Sequence, residues 1–357
     1  MSVEIIDKPT AIRSGEELNL EKLKAYLNEK LSGEGGAFSV EQFPSGFSNL
    51  TYLIRRGELE WVLRRPPFGA NIKSAHDMGR EYRVLSHLIK VYPKVPLPLD
   101  YCEDTSIIGA PFYVMQRVKG VILRSATPRS LALTPKLMQE LSKSFIDNLV
   151  ELHRVDYAVA GLSDLGRPDG YVERQITGWS TRYRNAQTDE IKALDQVMQW
   201  LKANMPPEAG VSLIHNDYKY DNIVLDPADL TKIIAVLDWE MATLGDPLLD
   251  LATTLGYWSE AGEPDELTFG PTRLPGSLNR QQLVERYQQK SGCEVANPVF
   301  YFVFGLFKLA VIIQQIYARY KKGHTQDKRF ADLGAIVRLC ARLAIAALDK
   351  NRIHHLV

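Results

Sequence analysis

Leu20, Leu23, Leu27 and Leu31 recur at the spacing of one helix face, and the glycines at 33, 35 and 36 end that pattern. Short runs at 37–43, 50–55 and 60–65, separated by Pro44, Gly46 and Gly57, predict three strands. Ser74, with Asp77 three positions later as its capping-box partner, predicts the start of a helix with Met78, Tyr82, Leu85 and Ile89 on its apolar face. Runs at 97–102 and 111–118 add two more strands. The expected segment is a mostly antiparallel sheet with one helix inserted after its third strand. Beyond Gly120 the pattern becomes helical. Thr134 and Pro135 supply an N-cap and a first-turn proline for a long helix with Leu137, Leu141, Phe145, Leu149 and Leu152 on one face. Further helices are expected at 171–185 and 189–204, short strands within 211–237, and mainly helix after Pro247, ending with a helix over 329–350. This is an α+β pattern: a small sheet-rich lobe (1–116) and a larger helical lobe (117–357), with a ligand-sized cleft at the join.

The longest apolar run, 299–313, is broken by Lys308; it is too short to span a bilayer and reads as a buried helix. Composition narrows the partners. Among 357 residues, 43 Lys and Arg balance 43 Asp and Glu, so the basic excess of a nucleic-acid or anionic-membrane binder is absent. No nucleic-acid or membrane partner is expected. Cys102, Cys293 and Cys340 lie far apart with no CxxC pair, which excludes a disulfide framework and a cysteine zinc site and fits a reducing compartment. The first residues carry acids early and no apolar segment, so a cytoplasmic protein without a secretory signal is expected.

The densest chemistry is His215-Asn216-Asp217-Tyr218-Lys219-Tyr220-Asp221-Asn222, set between two short apolar runs. Sixteen residues past Asn222, Asp238 ends the buried run 233–237. A carboxylate at the end of a buried strand is costly unless something pairs with it. An Asn and an Asp offering oxygens to one point suit Mg2+, which takes few protein ligands and borrows phosphates for the rest. Asp217, left without metal duty, could then accept a proton from an attacking hydroxyl.

The sequence HNDYKYDN followed by VLDWE resembles the catalytic and metal-binding motifs of the aminoglycoside phosphotransferase and choline kinase family, relatives of protein kinases. The resemblance runs through most of the chain in consistent order. The stretch 161–179, with Tyr171, Glu173, Arg174, Gln175 and Trp179, is similar to the kinase-like domains fused to or encoded beside acyl-CoA dehydrogenases. The resemblance implies a bilobal protein-kinase-like fold using ATP and Mg2+. Asp217 would be the catalytic base, Asn222 and Asp238 the metal ligands, and His215 a support for the loop. Gly46, Ser48 and Asn49 match the family's phosphate loop, although a loop with a single glycine also reads as a plain hairpin turn. Arg64 stands where the family carries a phosphate-gripping lysine, with Arg65 as the substitute cation. Its partner carboxylate would be Glu81, at the edge of the following helix's apolar face, with Arg80 and Arg83 pointing away. Residues 115–118, including Gln116 and Val118, would form the adenine-binding hinge.

Other residues carry two readings. His215 is a metal ligand or, more simply, a packing and hydrogen-bonding element. Asp250 reads as an acid tying the catalytic loop from behind, and Asp246 as either that or a helix-start residue. Asp221 and Lys219 are expected to face solvent or substrate. Glu260, Glu263, Asp265 and Glu266 could attract a polycationic sugar, or form a solvated loop. Arg319, Lys321, Lys322, Lys328 and Arg329 could meet the phosphates of a CoA thioester, or cap helices. The leading expectation is transfer of the γ-phosphate of ATP to a hydroxyl of a small molecule. Hydroxyacyl-CoA thioesters rank ahead of aminoglycosides and choline, with a functional link to an acyl-CoA dehydrogenase. A catalytically silent nucleotide-binding pseudokinase is the alternative of another class. A protein kinase is disfavoured because no segment resembles a peptide platform.

Overall fold

Period-two alternation along the third strand decides which side of the sheet each arginine faces, and with it the position of the cleft. In a computed structural model, which describes residues 8–31, 36–44, 49–67, 77–124, 131–323 and 328–357, the first half builds a five-stranded antiparallel sheet. Its strands are β1 (Phe38–Gln42), β2 (Leu50–Arg56), β3 (Leu59–Arg65), β4 (Pro98–Cys102) and β5 (Phe112–Gln116), in the order β1-β2-β3-β5-β4. Helix α1 (Leu20–Lys30) covers one face: Leu23 and Leu27 pack with Tyr52, Trp61, Leu63, Phe112 and Val114. Helix α2 (Met78–Leu88), between β3 and β4, covers the other with Val84, Leu85 and Leu88 against Leu53, Val62, Tyr113 and Met115. A single turn, α3 (Thr105–Ile108), links β4 to β5.

Two details of α2 differ from expectation. Ser74 lies outside the described residues, and Asp77 itself is the N-cap, its side chain accepting from the Arg80 amide at 2.9 Å. The buried face is also rotated: Met78, Glu81, Val84, Leu85 and Leu88 are buried, while Tyr82 and Ile89 are only half-buried. The reason is that α2 packs on the sheet and on the helical half at once, which sets Glu81 inside the stripe rather than at its rim.

The helical half comprises α4 (Pro135–His153), capped by Thr134, α5 (Tyr171–Ala186) and α6 (Lys192–Ala203), followed by the strand pairs β6 (Ser212–Ile214) with β9 (Thr243–Gly245) and β7 (Ile223–Leu225) with β8 (Ile233–Val236). Then come α7 (Pro247–Tyr257), α8 (Arg280–Ser291), α9 (Pro298–Lys321) and α10 (Leu333–Lys350). The last helix begins four residues later than expected, since Lys328–Phe330 form a separate 3-10 turn. Helix α9 extends well past the apolar run that announced it, to 24 residues. By length and composition it could cross a bilayer, yet 83% of its most apolar window is buried in this fold, chiefly between α7 and α10. Gly305 makes the α7–α9 crossing possible: a Cβ there would sit 1.9 Å from the Ala252 carbonyl oxygen, and one on Gly256 would meet Gly305 backbone at 2.6 Å. No side chain fits between these helices at that point.

Candidate active site

Between β3 and α2 on one side and the β6–β7 loop on the other lies a cluster of charged groups. On β3 the alternation turns Arg64 towards this cleft and Arg65 to the opposite face, where its guanidinium donates to the carbonyls of Ile108 (2.7 Å) and Pro66 (3.0 Å). Arg65 is therefore no substitute for Arg64. Arg64 Nη1 meets Glu81 Oε1 at 2.6 Å, and Nη2 meets Asp238 Oδ1 at 2.9 Å, with Glu240 Oε2 at 3.6 Å. Glu81 also accepts from the Trp239 amide (3.1 Å), so it orients the Asp238 peptide segment as well as the arginine. Burial pushes the Glu81 carboxyl up, opposed by Arg64; burial works on Asp238 in the same sense, but there Arg64 prevails and holds the carboxyl below its usual range.

Arg80 does not point away as expected. Its guanidinium donates to the carbonyls of Glu240 (3.0 Å), Ala242 (2.5 Å) and Leu165 (3.3 Å), fastening α2 to the segment after Asp238. Asn49 is buried, with its amide on Glu240 Oε2 at 2.5 Å; Gly46 and Ser48 lie outside the described residues. In the hinge, the Gln116 amide donates to Leu97 O (2.8 Å) and that of Arg117 to Glu60 O (3.3 Å). Among the described residues no backbone carbonyl takes the Val118 amide.

The facing loop is held by hydrogen bonds to its backbone. Asp250, fully buried on α7, accepts from the amides of His215 (2.8 Å) and Asn216 (2.7 Å) and contacts His153 Nε2 at 3.1 Å. Burial raises its carboxyl, but the hydrogen bond and charge of His153 and the loop amides outweigh that and hold it low. The expected anchoring role of Asp250 is what the geometry displays. Asp246 proves to be the helix-start residue, N-capping α7 through the Leu248 amide at 2.7 Å and taking the Ala209 amide with its other oxygen. His215 accepts the Asp217 amide on Nδ1 (3.2 Å), which leaves Nε2 to donate to Leu237 O (2.9 Å). One neutral imidazole thus links Asp217 to the segment carrying Asp238, and its ring packs on Trp239.

Asp217 and Asn222 converge: Asn222 Nδ2 donates to Asp217 Oδ2 and to Asp217 O, both at 2.9 Å. Lys219 turns its ammonium onto Asp217, with 21% of its side chain exposed. Its ammonium sits 2.7 and 2.9 Å from the two Asp217 oxygens and 4.8 Å above the Tyr257 ring. Burial works against its charge, but Asp217 raises its pKa above the usual lysine value. Asp221 is likewise turned inward, its carboxyl raised by burial against the pull of Lys219. Sequence reasoning undervalued Lys219, Tyr257 and Glu240. For Lys219 a signal existed, its place two residues after the loop aspartate; for the others nothing local announced them.

The donor set suits a hard divalent cation bound together with a phosphate. Asn222 engages its amide nitrogen with Asp217, leaving its oxygen for a cation, and the Asp238 carboxyl is held ionised with about a third of its side chain exposed (30%). No group of three or more His, Cys, Asp or Glu gathers among the described residues, so no all-protein cage competes with that arrangement.

The acids at 260–266 divide between the two readings: Glu260 and Glu263 are turned inward, while Asp265 and Glu266 are exposed. Glu263 is buried against Arg280 (2.5 Å), Glu260 accepts the Arg280 and His355 amides (2.7 and 3.1 Å), and Asp265 pairs with Arg273 (2.5 Å). Arg319 and Lys321 lie in the last turn of α9, where positive charge complements the helix end.

The chain as a whole is similar to known proteins. A family profile described as "Phosphotransferase enzyme family" matches residues 39–270. "Acyl-CoA dehydrogenase family member 11" of Gallus gallus is 34% identical over 350 residues, covering 92% of this chain and 44% of that protein; the chain spans less than half the length of this curated relative. A solved chain from Ralstonia eutropha JMP134, described as a candidate aminoglycoside phosphotransferase, superposes with a TM-score of 0.79 at 29% identity, covering 94% of this chain and 99% of that one. A choline kinase from Cryptosporidium parvum superposes with a TM-score of 0.59 at 12% identity, over 94% of this chain and 98% of that one, a likeness of fold alone. With a sheet-plus-helix bilobal fold and a matching profile across its centre, the chain belongs to the phosphotransferase enzyme family.

Proposed function

We propose that the chain transfers the γ-phosphate of ATP, with Mg2+, to a hydroxyl of a small metabolite, with Asp217 as the base. The observation that carries this reading is the convergence of Asp217 with Asn222 on one wall of a cleft whose other wall joins Arg64 to Asp238 at 2.9 Å. Asp217 takes the proton of the acceptor hydroxyl as its oxygen attacks phosphorus and the bond to the ADP oxygen breaks. Lys219, now on Asp217, supplies positive charge beside the base where the phosphate arrives. Asn222 and Asp238 would hold the cation, which when bound would neutralise charge on the phosphate oxygens. Arg64 grips phosphate in place of a lysine, and Gln116 and Val118 receive the adenine through backbone groups.

For the acceptor we propose hydroxyacyl-CoA thioesters ahead of aminoglycosides and choline. Two supports exist. The curated relative is named for acyl-CoA dehydrogenases, and of the acids that could have drawn a polycation Glu263 is buried against Arg280 and Asp265 pairs with Arg273. The test is an ATP-dependent panel of hydroxyacyl-CoAs, choline, homoserine, sugars and aminoglycosides, scored by kcat/KM; efficient turnover of aminoglycosides alone overturns the ranking. Asp217→Asn should lower phosphotransfer by about 10²–10⁴-fold with Mg2+–ATP affinity nearly intact. Wild-type turnover in that variant removes Asp217 from the base role. Asp238→Ala should lose metal-dependent nucleotide binding by calorimetry; unchanged affinity removes Asp238 as a ligand.

A further inference from the structure

Helix α9 is apolar through its centre, yet at residue 308 it carries a lysine that is only 3% exposed. A buried ammonium is unfavourable without compensation, and Lys308 makes no salt bridge with a carboxylate among the described residues. Its three contacts are the Asn216 carbonyl at 2.9 Å, Thr253 Oγ1 of α7 at 3.0 Å and Asn216 Oδ1 at 3.5 Å, and its ammonium lies 5.7 Å from the Trp179 ring centre. Asn216 precedes Asp217 and has φ +67°, the left-handed region that non-glycine residues adopt only when surroundings impose it. Its amide is held by Asp250 and its side-chain nitrogen donates to Met241 O (3.1 Å); its carbonyl turns inward towards α9, where, among the described residues, Lys308 alone donates to it.

We propose that Lys308 is a positioning residue of the phosphotransfer site: from behind the loop, its ammonium holds the Asn216 peptide in its left-handed conformation and so fixes the Asp217 carboxylate. This rests on the reading of Asp217 as the base. A neutral hydroxyl or amide at this place would satisfy one or two of the acceptors; the ammonium reaches three from a single stem and sets a positive charge behind the base. The charged and titratable groups facing it are Asp250 from α7, Asp217 and Lys219 from the loop, and Arg182 with Tyr171 from α5. No residue of α6 or α10 makes a hydrogen bond or ion pair with it among the described residues. Burial lowers the Lys308 pKa to about 8, with Asp250 and Asp217 opposing. As pH rises through that value the ammonium loses its charge. The unfolded chain, whose lysine has the ordinary higher pKa, binds more protons in this window. Lys308's contribution to stability therefore improves with rising pH while its hold on the loop weakens.

The experiment uses the full chain with Mg2+–ATP hydrolysis in the absence of acceptor as the probe, together with amide hydrogen exchange of residues 213–219. Lys308→Met, close in shape, should lower kcat by about tenfold to a hundredfold and leave KM for ATP within a factor of about two. Amides at 215–217 should exchange faster while those of α9 keep their protection. Wild-type hydrolysis should fall across pH 8; Lys308→Met should lose that limb, and Lys308→Arg, charged throughout, should recover part of kcat without it. Thr253→Val, a milder change, should move the limb to lower pH by removing one acceptor. A wild-type kcat in Lys308→Met, unchanged exchange at 215–217, or a limb that persists in that variant each overturns the proposal. Undiminished hydrolysis in Asp217→Asn overturns the base assignment instead, and the exchange measurement then decides the Lys308 contact alone.

Discussion

Among the described residues two arginines are buried against a glutamate, and they are satisfied very differently. Arg280 forms a two-point fork with Glu263 (2.7 and 2.5 Å), donates Nε to Trp258 O at 2.6 Å and lies over the Phe302 ring at 4.3 Å. Arg64 touches Glu81 and Asp238 by one nitrogen each, and its buried Nε has no hydrogen-bond partner among the described residues. The first arrangement is complete and holds the turn after α7 to the start of α8. The second leaves donors and acceptors in reserve beside a cleft, which suits groups that exchange partners when an anion arrives. Buried charge by itself therefore does not separate the two; incomplete satisfaction beside the partly exposed Asp238 does.

Breaking the complete pair should have the largest effect. Glu263→Ala leaves a guanidinium that cannot shed its charge, so it should cost about 3–5 kcal/mol of stability. Turnover per folded molecule should be unchanged, as denaturant melts and active-site titration would show. A matching loss of kcat would erase the contrast between the two arginines. Arg64→Ala should do the reverse and lower kcat/KM by about 10²-fold or more. The stability loss should be smaller, because the orphaned Glu81 carboxyl, already pushed up by burial, can take a proton. Arg64→Lys should retain measurable though reduced activity. In a cycle with Glu81→Gln, the coupling between the two should reach about 0.5–3 kcal/mol; additive losses would mean the 2.6 Å contact has no energetic weight. Asp265→Ala sits at the small end. Its side chain is 94% exposed, so the change should stay within about 0.5 kcal/mol and leave kinetics untouched.

Much of this was readable in the sequence where local pattern and partner coincide. The strand positions, the Thr134 cap and the Asp217–Asn222 spacing are short-range signals, and each element formed within a few residues of its expected place. Arg64 opposite Glu81 was readable because strand alternation and helix angle independently aim both side chains at one cleft. Arg80 was not, since its partners are backbone carbonyls on the far side of the chain, which carry no residue-type signature. The acids at 260–266 were readable only in part for a related reason. Their Gly- and Pro-bearing context suggests solvent, which holds for Asp265 and Glu266, whereas Arg280, later in the chain, buries Glu263. Lys308 was visible as an interruption of an apolar run, but its purpose depends on a crossing with α7 that periodicity cannot supply.

The crossing at Gly256 and Gly305 bears on when, during synthesis, the enzyme can become competent. A nascent chain that has emerged as far as Tyr257 already contains Asp217, Asn222, Asp238 and the anchoring Asp250. It still lacks the helix that closes over the loop, which arrives only after α8 has been made. Because neither glycine leaves room for a side chain between the helices, that docking has one register and few approximate substitutes. Ribosome-bound chains stalled between α7 and α9 should therefore hold the whole set of motif residues without the wall that orders them, and expose the apolar surface of α7 to chaperones until α9 emerges.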